Sequence, residues 1–147
     1  ATDNVVHLVK DKPVLLKFRS QDVIHSAFLP HFRVQMNCVP GMTTQFAFTP
    51  TKTTKEMRSD PKIVQQMSTL NNKINQMTKS EKVKFLKNYN KTIEDLPLEF
   101  DYVLICNKIC GAAHYNMQMK FIVETQEEYD AWIASQKTLS EKLLTKN

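Results

Sequence analysis

The stretch that most restricts the fold of this chain is Cys106-Asn107-Lys108-Ile109-Cys110-Gly111-Ala112-Ala113-His114-Tyr115-Asn116-Met117. Two thiols, an imidazole and a thioether fall in the pattern C-x3-C-x3-H-x2-M. Soft sulfur donors with imidazole select copper, zinc or iron–sulfur clusters, and a thioether is a usual axial ligand of copper. Four donors so close in sequence can surround one centre only on a tight loop, and a tight loop keeps its shape only between rigid elements. The pattern therefore predicts a loop between two strands, with a further imidazole from a distant strand end. Taken alone, the C-x3-C pair also admits a disulfide or half of a zinc site. Met117 alone reads equally as the first core residue of the following strand.

The flanking sequence supplies such strands. Val14, Leu16 and Phe18 alternate with Leu15, Lys17 and Arg19, and Phe32, Val34 and Met36 alternate with Arg33, Gln35 and Asn37. Phe46 and Phe48 flank Ala47, and strand character returns at Leu98–Ile105 and Met117–Glu124. A period of two marks half-buried strands. Val39-Pro40-Gly41-Met42 reads as a turn, since Pro presets φ and Gly supplies φ > 0.

The middle of the chain is helical. Asp60-Pro61 is a helix start, and Ile63, Met67, Leu70, Ile74 and Met77 then form one apolar stripe. Thr78-Lys79-Ser80-Glu81 is a capping box for a second helix, with Val83, Leu86, Tyr89 and Ile93 as its apolar side. A third box, Thr125-Gln126-Glu127-Glu128, opens a C-terminal helix whose apolar set is Tyr129, Trp132, Ile133, Leu139 and Leu143. Trp132 is expected to anchor that helix into the barrel. Cys38 is expected in the core, and His7 and His31 at the surface.

Length and charge limit the function classes. The 147 residues suit one domain, 1–147, and a core large enough to fold without disulfides. The net charge of +5 invites a nucleic-acid reading. The charge is not spread, however. Residues 51–92 carry ten Lys/Arg against three acids, so the remainder is −2. The expectation is a mildly acidic body with one basic helical segment and no nucleic-acid partner. That segment is expected to be a solvated helical pair, a contact for a neighbouring subunit, or a surface drawn to anionic lipid. No run of about 18 apolar residues spans a membrane, and no signal-peptide pattern opens the chain. Because Ala1 is not Met, a longer parent chain is expected.

Cys106–Met117 resembles the metal loop of the copper A domain of cytochrome c oxidase subunit II. Asp22-Val23-Ile24-His25-Ser26, followed by Leu29-Pro30, is similar to that family's first-ligand region. Val39-Pro40-Gly41-Met42 and Phe48-Thr49-Pro50-Thr51-Lys52 resemble its next turn and strand end. The resemblance covers roughly 5–52 and 96–134. It implies a cupredoxin-like Greek-key β-barrel, interrupted by a basic helical insertion at about 53–95 whose hairpin is 60–90, and followed by the C-terminal helix. It implies a binuclear copper centre of two copper ions. Cys106 and Cys110 would bridge the metals. His25 and Met117 would complete one, and His114 with the backbone carbonyl of Lys108 the other. Asp22 is a carboxylate that supports the metal ligands or docks a partner, or else a solvated turn residue.

The function so implied is electron transfer from cytochrome c to the haem of a catalytic haem-copper oxidase subunit. The whole membrane complex would be the oxidoreductase, and this domain would hold no catalytic acid–base group or nucleophile. It would lie on the periplasmic, outer face of a bacterial inner membrane, with the membrane-anchor part of the parent chain absent. Three departures stand out. Lys108 replaces the family's usual Glu, which puts that carboxylate's magnesium link in question. Leu104-Ile105 replaces its Gly-Gln, and the insertion is long. Two alternatives stay open: the copper A domain of nitrous oxide reductase, and a mononuclear metal-binding or copper-delivery module.

Overall fold

The computed structural model describes residues 5–89 and 91–136. Leu139 and Leu143, assigned above to the last helix, lie outside them. The described strands are β1 (Val5–Val9), β2 (Val14–Phe18), β3 (His25–Leu29), β4 (Val34–Cys38), β5 (Thr44–Phe48), β6 (Tyr102–Cys106) and β7 (Gln118–Glu124). The helices are α1 (Thr54–Arg58), α2 (Pro61–Asn75), α3 (Lys79–Lys87) and α4 (Gln126–Ser135). Five strands form one sheet in the order β1-β7-β6-β3-β4, and β2 and β5 form a second. β1 and β7 run parallel, and the other strand pairs are antiparallel.

Period-two patterning explains how the sheets meet. In β2 and β5 the register pairs Val14 with Phe48 and Leu16 with Phe46, so four apolar side chains share one face. That face packs on Leu8, Leu29, Val34, Phe100, Tyr102, Phe121 and Val123. Full burial of side chains such as Leu29 and Phe121 stabilises by roughly 1.5–3 kcal/mol each. Phe32 stacks on Tyr102 with ring centroids 4.5 Å apart and lies 4.8 Å from Phe48, which ties the two sheets together. The sheets also touch at Thr44, whose hydroxyl donates to the Asn37 carbonyl at 2.6 Å. Hydrogen-bonded ladders do not join the two sheets into one closed barrel among the described residues.

Several elements differ from the sequence expectation. Phe32 lies in a 3-10 turn, Pro30–Phe32, closed by Arg33 N–H to the Pro30 carbonyl at 3.2 Å, and the strand starts only at Val34. Within Leu98–Ile105, β6 starts only at Tyr102. The reason is visible at Leu98. The Asn71 side-chain amide of α2 both accepts from the Leu98 N–H and donates to the Leu98 carbonyl, each at 2.9 Å. Arg58 Nε donates to the Phe100 carbonyl at 2.9 Å. Helix side chains thus take the place of a neighbouring strand.

The helical segment forms as read, with one helix more. Asp60 caps α2, and capping boxes open α3 at Thr78/Glu81 and α4 at Thr125/Glu128. The additional helix, α1, starts from a capping box of Thr53 and Glu56. On α2, Ile74 is buried with Leu86 and Leu98, and Met67 and Leu70 pack against them. On α3 the inward face is Phe85 and Leu86, whereas Val83 and Tyr89 are exposed, as is Ile93 beyond it. Trp132 does not enter the space between the sheets. It stacks on His7 of β1 with centroids 3.8 Å apart and planes 10° apart. His7 is accordingly no surface residue: its side chain is 11% exposed, and its Nδ1 lies 2.7 Å from Glu124 Oε2.

Asp101 and Thr54 are among the residues that hold the insertion to the sheet. Asp101 gathers Arg58 at 2.8 Å, Lys120 at 2.9 Å and Lys91 at 3.7 Å. The buried Thr54 hydroxyl accepts from the Val123 N–H at 2.9 Å. Thr54→Val keeps the shape but leaves that buried N–H unpaired, which costs about 1–3 kcal/mol. Urea denaturation should show that loss as a lower midpoint with unchanged slope, and a smaller loss in Thr54→Ser, which keeps the hydroxyl.

Candidate metal centre

The loop from β6 to β7 is wound by its own backbone. Its base is closed by Cys106 N–H to the Met117 carbonyl at 3.0 Å, and Asn107 N–H to the Ser26 carbonyl at 3.3 Å pins it to β3. Above the base, His114 N–H bonds the Gly111 carbonyl at 3.1 Å, Asn116 N–H the Ala113 carbonyl at 3.0 Å, and Met117 N–H the His114 carbonyl at 3.2 Å. Gly111 has φ +140°, where a side chain would strain the backbone. A glycine directly after Cys110 thus lets the chain reverse and bring His114 back to the thiols.

These turns place the donors in one cluster. Cys106 Sγ and Cys110 Sγ lie 3.7 Å apart at its middle, and both cysteines are free. His25 Nδ1 is 3.9 Å from Cys106 Sγ, and the Lys108 carbonyl is 3.3 Å from the same sulfur. His114 Nδ1 is 3.6 Å from Cys110 Sγ, and Met117 Sδ is 3.3 Å from it. Ligand atoms of His25, Cys106 and Cys110 lie mutually within 4.8 Å. His25 thus meets the sulfur pair at Cys106, and His114 meets it at Cys110. His25, the first residue of β3, arrives from 81 positions away because β3 pairs with β6, Ala27 opposite Cys106.

Asp22 touches His25 directly. Its Oδ1 is 2.8 Å from His25 Nε2, which leaves Nδ1 facing Cys106, and Ser20 donates to the same carboxylate oxygen at 3.1 Å. This bond holds the Asp22 carboxyl down to about 2 and raises His25 above its ordinary value. Burial opposes ionisation of Cys106. Hydrogen bonds from the backbone at Ser26 and Lys108, and from the His25 and His114 rings, overcome it and bring the thiol down to about 6. Burial and the neighbouring Cys106 sulfur push Cys110 up. One thiolate forms readily, and a second beside it calls for a cation between the two.

The remaining candidates separate. The Lys108 side chain is exposed, and only its carbonyl faces the sulfurs. Cys38 is buried, opposite His25 in the β3–β4 register. On one side the site opens to a cleft of about 930 Å³ lined by Leu16, Phe18 and Leu104. Ser20 and an apolar surround escape the sequence reading: Ile109 is 89% and Tyr115 61% exposed. Ser20 is signalled by Ser-x-Asp, a side-chain turn pattern. Exposed apolar residues on a loop are signalled only by contrast with the polar residues between them.

Comparison with known proteins fits this arrangement. Residues 1–57 match the family model for cytochrome C oxidase subunit II, periplasmic domain. An alternative cytochrome c oxidase subunit 2 of Bradyrhizobium diazoefficiens is 31% identical over 135 residues, which is 92% of this chain and 32% of that protein. Cytochrome c oxidase subunit 2 of Synechocystis is 25% identical over 130 residues, 88% of this chain and 25% of that protein. The chain thus spans a third or less of the curated relatives it matches. Among solved structures, the periplasmic domain of subunit II of cytochrome oxidase (CoxB) of Bradyrhizobium japonicum superposes with a TM-score of 0.52 at 18% identity, covering 92% of this chain and 63% of that one. That likeness carries the cupredoxin-like fold, here as two packed sheets. The loop, the fold and these matches agree: the chain is similar to cytochrome c oxidase subunit II in its periplasmic domain.

Proposed function

We propose that this domain passes electrons from cytochrome c, through a binuclear copper centre, to the haem of the catalytic subunit of a terminal oxidase. It would do so on the periplasmic face of the membrane, as part of a longer membrane-anchored subunit. The observation that carries the reading is the order of the donors: imidazole, thiol, thiol, imidazole, with a carbonyl beside one sulfur and a thioether beside the other. Six donors spread in this way suit two ions that share the thiolates. A single tetrahedral ion would gather four donors into one shell. The soft donor set suits copper.

His25, Cys106, Lys108 through its carbonyl, Cys110, His114 and Met117 would hold the metals. When bound, a thiolate-bridged copper pair supplies one-electron transfer with little change of geometry. The protein's part is to keep those positions fixed. The loop backbone is bonded to itself and to β3, so the thiols need not move to receive metal. Asp22 sets the orientation of His25 by holding the ring nitrogen that faces away from the thiols. Binding requires both thiolates, so metal uptake releases protons.

Titration of the chain with copper should give two ions per chain and a purple product with a delocalised mixed-valence spin-resonance spectrum. One ion per chain, or a colourless product, would sink the proposal. Cys106→Ser and Cys110→Ser should each abolish the purple band, and an unchanged spectrum in either would refute the shared-thiolate assignment. Asp22→Ala should weaken copper binding by roughly 10–100-fold in a chelator competition while leaving the purple colour at saturating metal. Unchanged affinity would make Asp22 a turn residue only.

A further inference from the structure

The basic insertion is not remote from the loop. A groove of about 620 Å³ runs between α3 and the loop, lined by Val83, Lys87, Lys91, Ile93, Glu94 and Tyr115. Its apolar members stand open: Val83 is 50%, Ile93 40% and Tyr115 61% exposed. A second groove of about 440 Å³ continues from Tyr89 and Lys91 past Tyr115 to His114 and Met117. Folding thus sets the exposed flank of α3 next to the end of the donor cluster that holds His114.

The charge on that flank is not neutralised. Lys55 of α1 pairs with Glu128, Lys52 with Asp60, and Arg58 and Lys91 with Asp101. Lys79, Lys82, Lys84 and Lys87 of α3 have no ion pair among the described residues. Glu81, the one acid of α3, is occupied in capping Thr78. The groove therefore offers an apolar floor, with Lys87 and the Asp101-paired Lys91 against Glu94 at its edge and the other unpaired lysines of α3 beside it. At about 100° per residue, Lys79 and Lys87 fall within about 40° of Val83 on the groove side of α3, and Lys82 and Lys84 about 100° to either side of it. The surface they border is a groove, which suits contact with a protein better than with a flat lipid surface.

Resting on the electron-transfer reading above, we propose that the groove between α3 and the metal loop is the docking site of an acidic protein electron donor. An exposed apolar centre with a charged rim gives a small, short-lived contact whose encounter is steered by charge. In the step served, the donor's ferrous haem gives up one electron and becomes ferric. The metal centre that His25, Cys106, Cys110, His114 and Met117 would hold would accept that electron, with no bond or proton exchanged. A basic donor would meet the rim as a like charge.

Two probes share one haem protein and differ in sign of charge: cytochrome c in its native basic form, and the same protein with its lysines succinylated. Affinity is measured by titration against the full chain, both metal-free and copper-loaded, with amide signals of Val83, Ile93 and Tyr115 followed by NMR. The succinylated form should bind both states, shift those signals, and lose affinity as salt rises. Lys84→Glu with Lys87→Glu should weaken it by about tenfold or more, whereas Lys62→Glu with Lys73→Glu on α2 should leave it nearly unchanged. Equal losses in the two double variants would overturn the proposal, because net charge alone would then explain them. Tighter binding of the native basic form would overturn it, and so would saturable binding of this flank to phosphatidylglycerol vesicles without binding of the succinylated form. Binding to the metal-free chain is read without copper, so a failed purple centre and a failed docking site give separate results.

Discussion

The site rests on two backbone hydrogen bonds at the mouth of the β6–β7 loop, Cys106 N–H to the Met117 carbonyl and Asn107 N–H to the Ser26 carbonyl. The first sets the span of the loop, because it fixes where the chain leaves β6 and re-enters β7. The second locks that span to β3, the strand that delivers His25. Each bond is worth only about 1 kcal/mol on its own. Their leverage is geometric, since every donor position is counted from them. The packed aromatic layer of Phe32, Phe48 and Tyr102 ties the two sheets together at the other end of β6, so the strand that carries Cys106 is held in a close-packed core.

How much the sequence could reveal depended on the range of the interaction. The loop donors were legible because their spacing is local. The starts of α2, α3 and α4 were legible for the same reason, as each is set by a cap three residues long. Thr53-x-x-Glu56 carries the same local signal for α1. Long-range pairing was where reading failed. Alternation through Leu98–Phe100 looks like strand, and only the contact with Asn71 and Arg58 shows that helices satisfy that backbone. His7 looked like any lone histidine until Trp132 was found stacked on it.

The candidate site shows the same division. Cys106, Cys110, His114 and Met117 lie on one loop, whereas His25 joins them only through the β3–β6 pairing. No periodicity encodes that pairing, and the family resemblance alone brought His25 into the reading. The approach of α3 to Tyr115 is likewise invisible in sequence, because it depends on how the chain returns from the insertion to β6.

Asn71 and Arg58 have one more consequence. They complete the backbone of residues 98–100 as a strand neighbour would, so part of the sheet's hydrogen bonding is lodged in the insertion. The insertion is therefore not ornamental, and its tolerance to change in length is uneven. Residues added or removed at the connection between α2 and α3, beyond Asn71, alter loop-closure entropy only slowly with length. A deletion that takes Arg58 through Asn71 would strip partners from buried backbone beside Phe100. Length variation among relatives with this tie should thus collect at the far tip of the hairpin and spare its root.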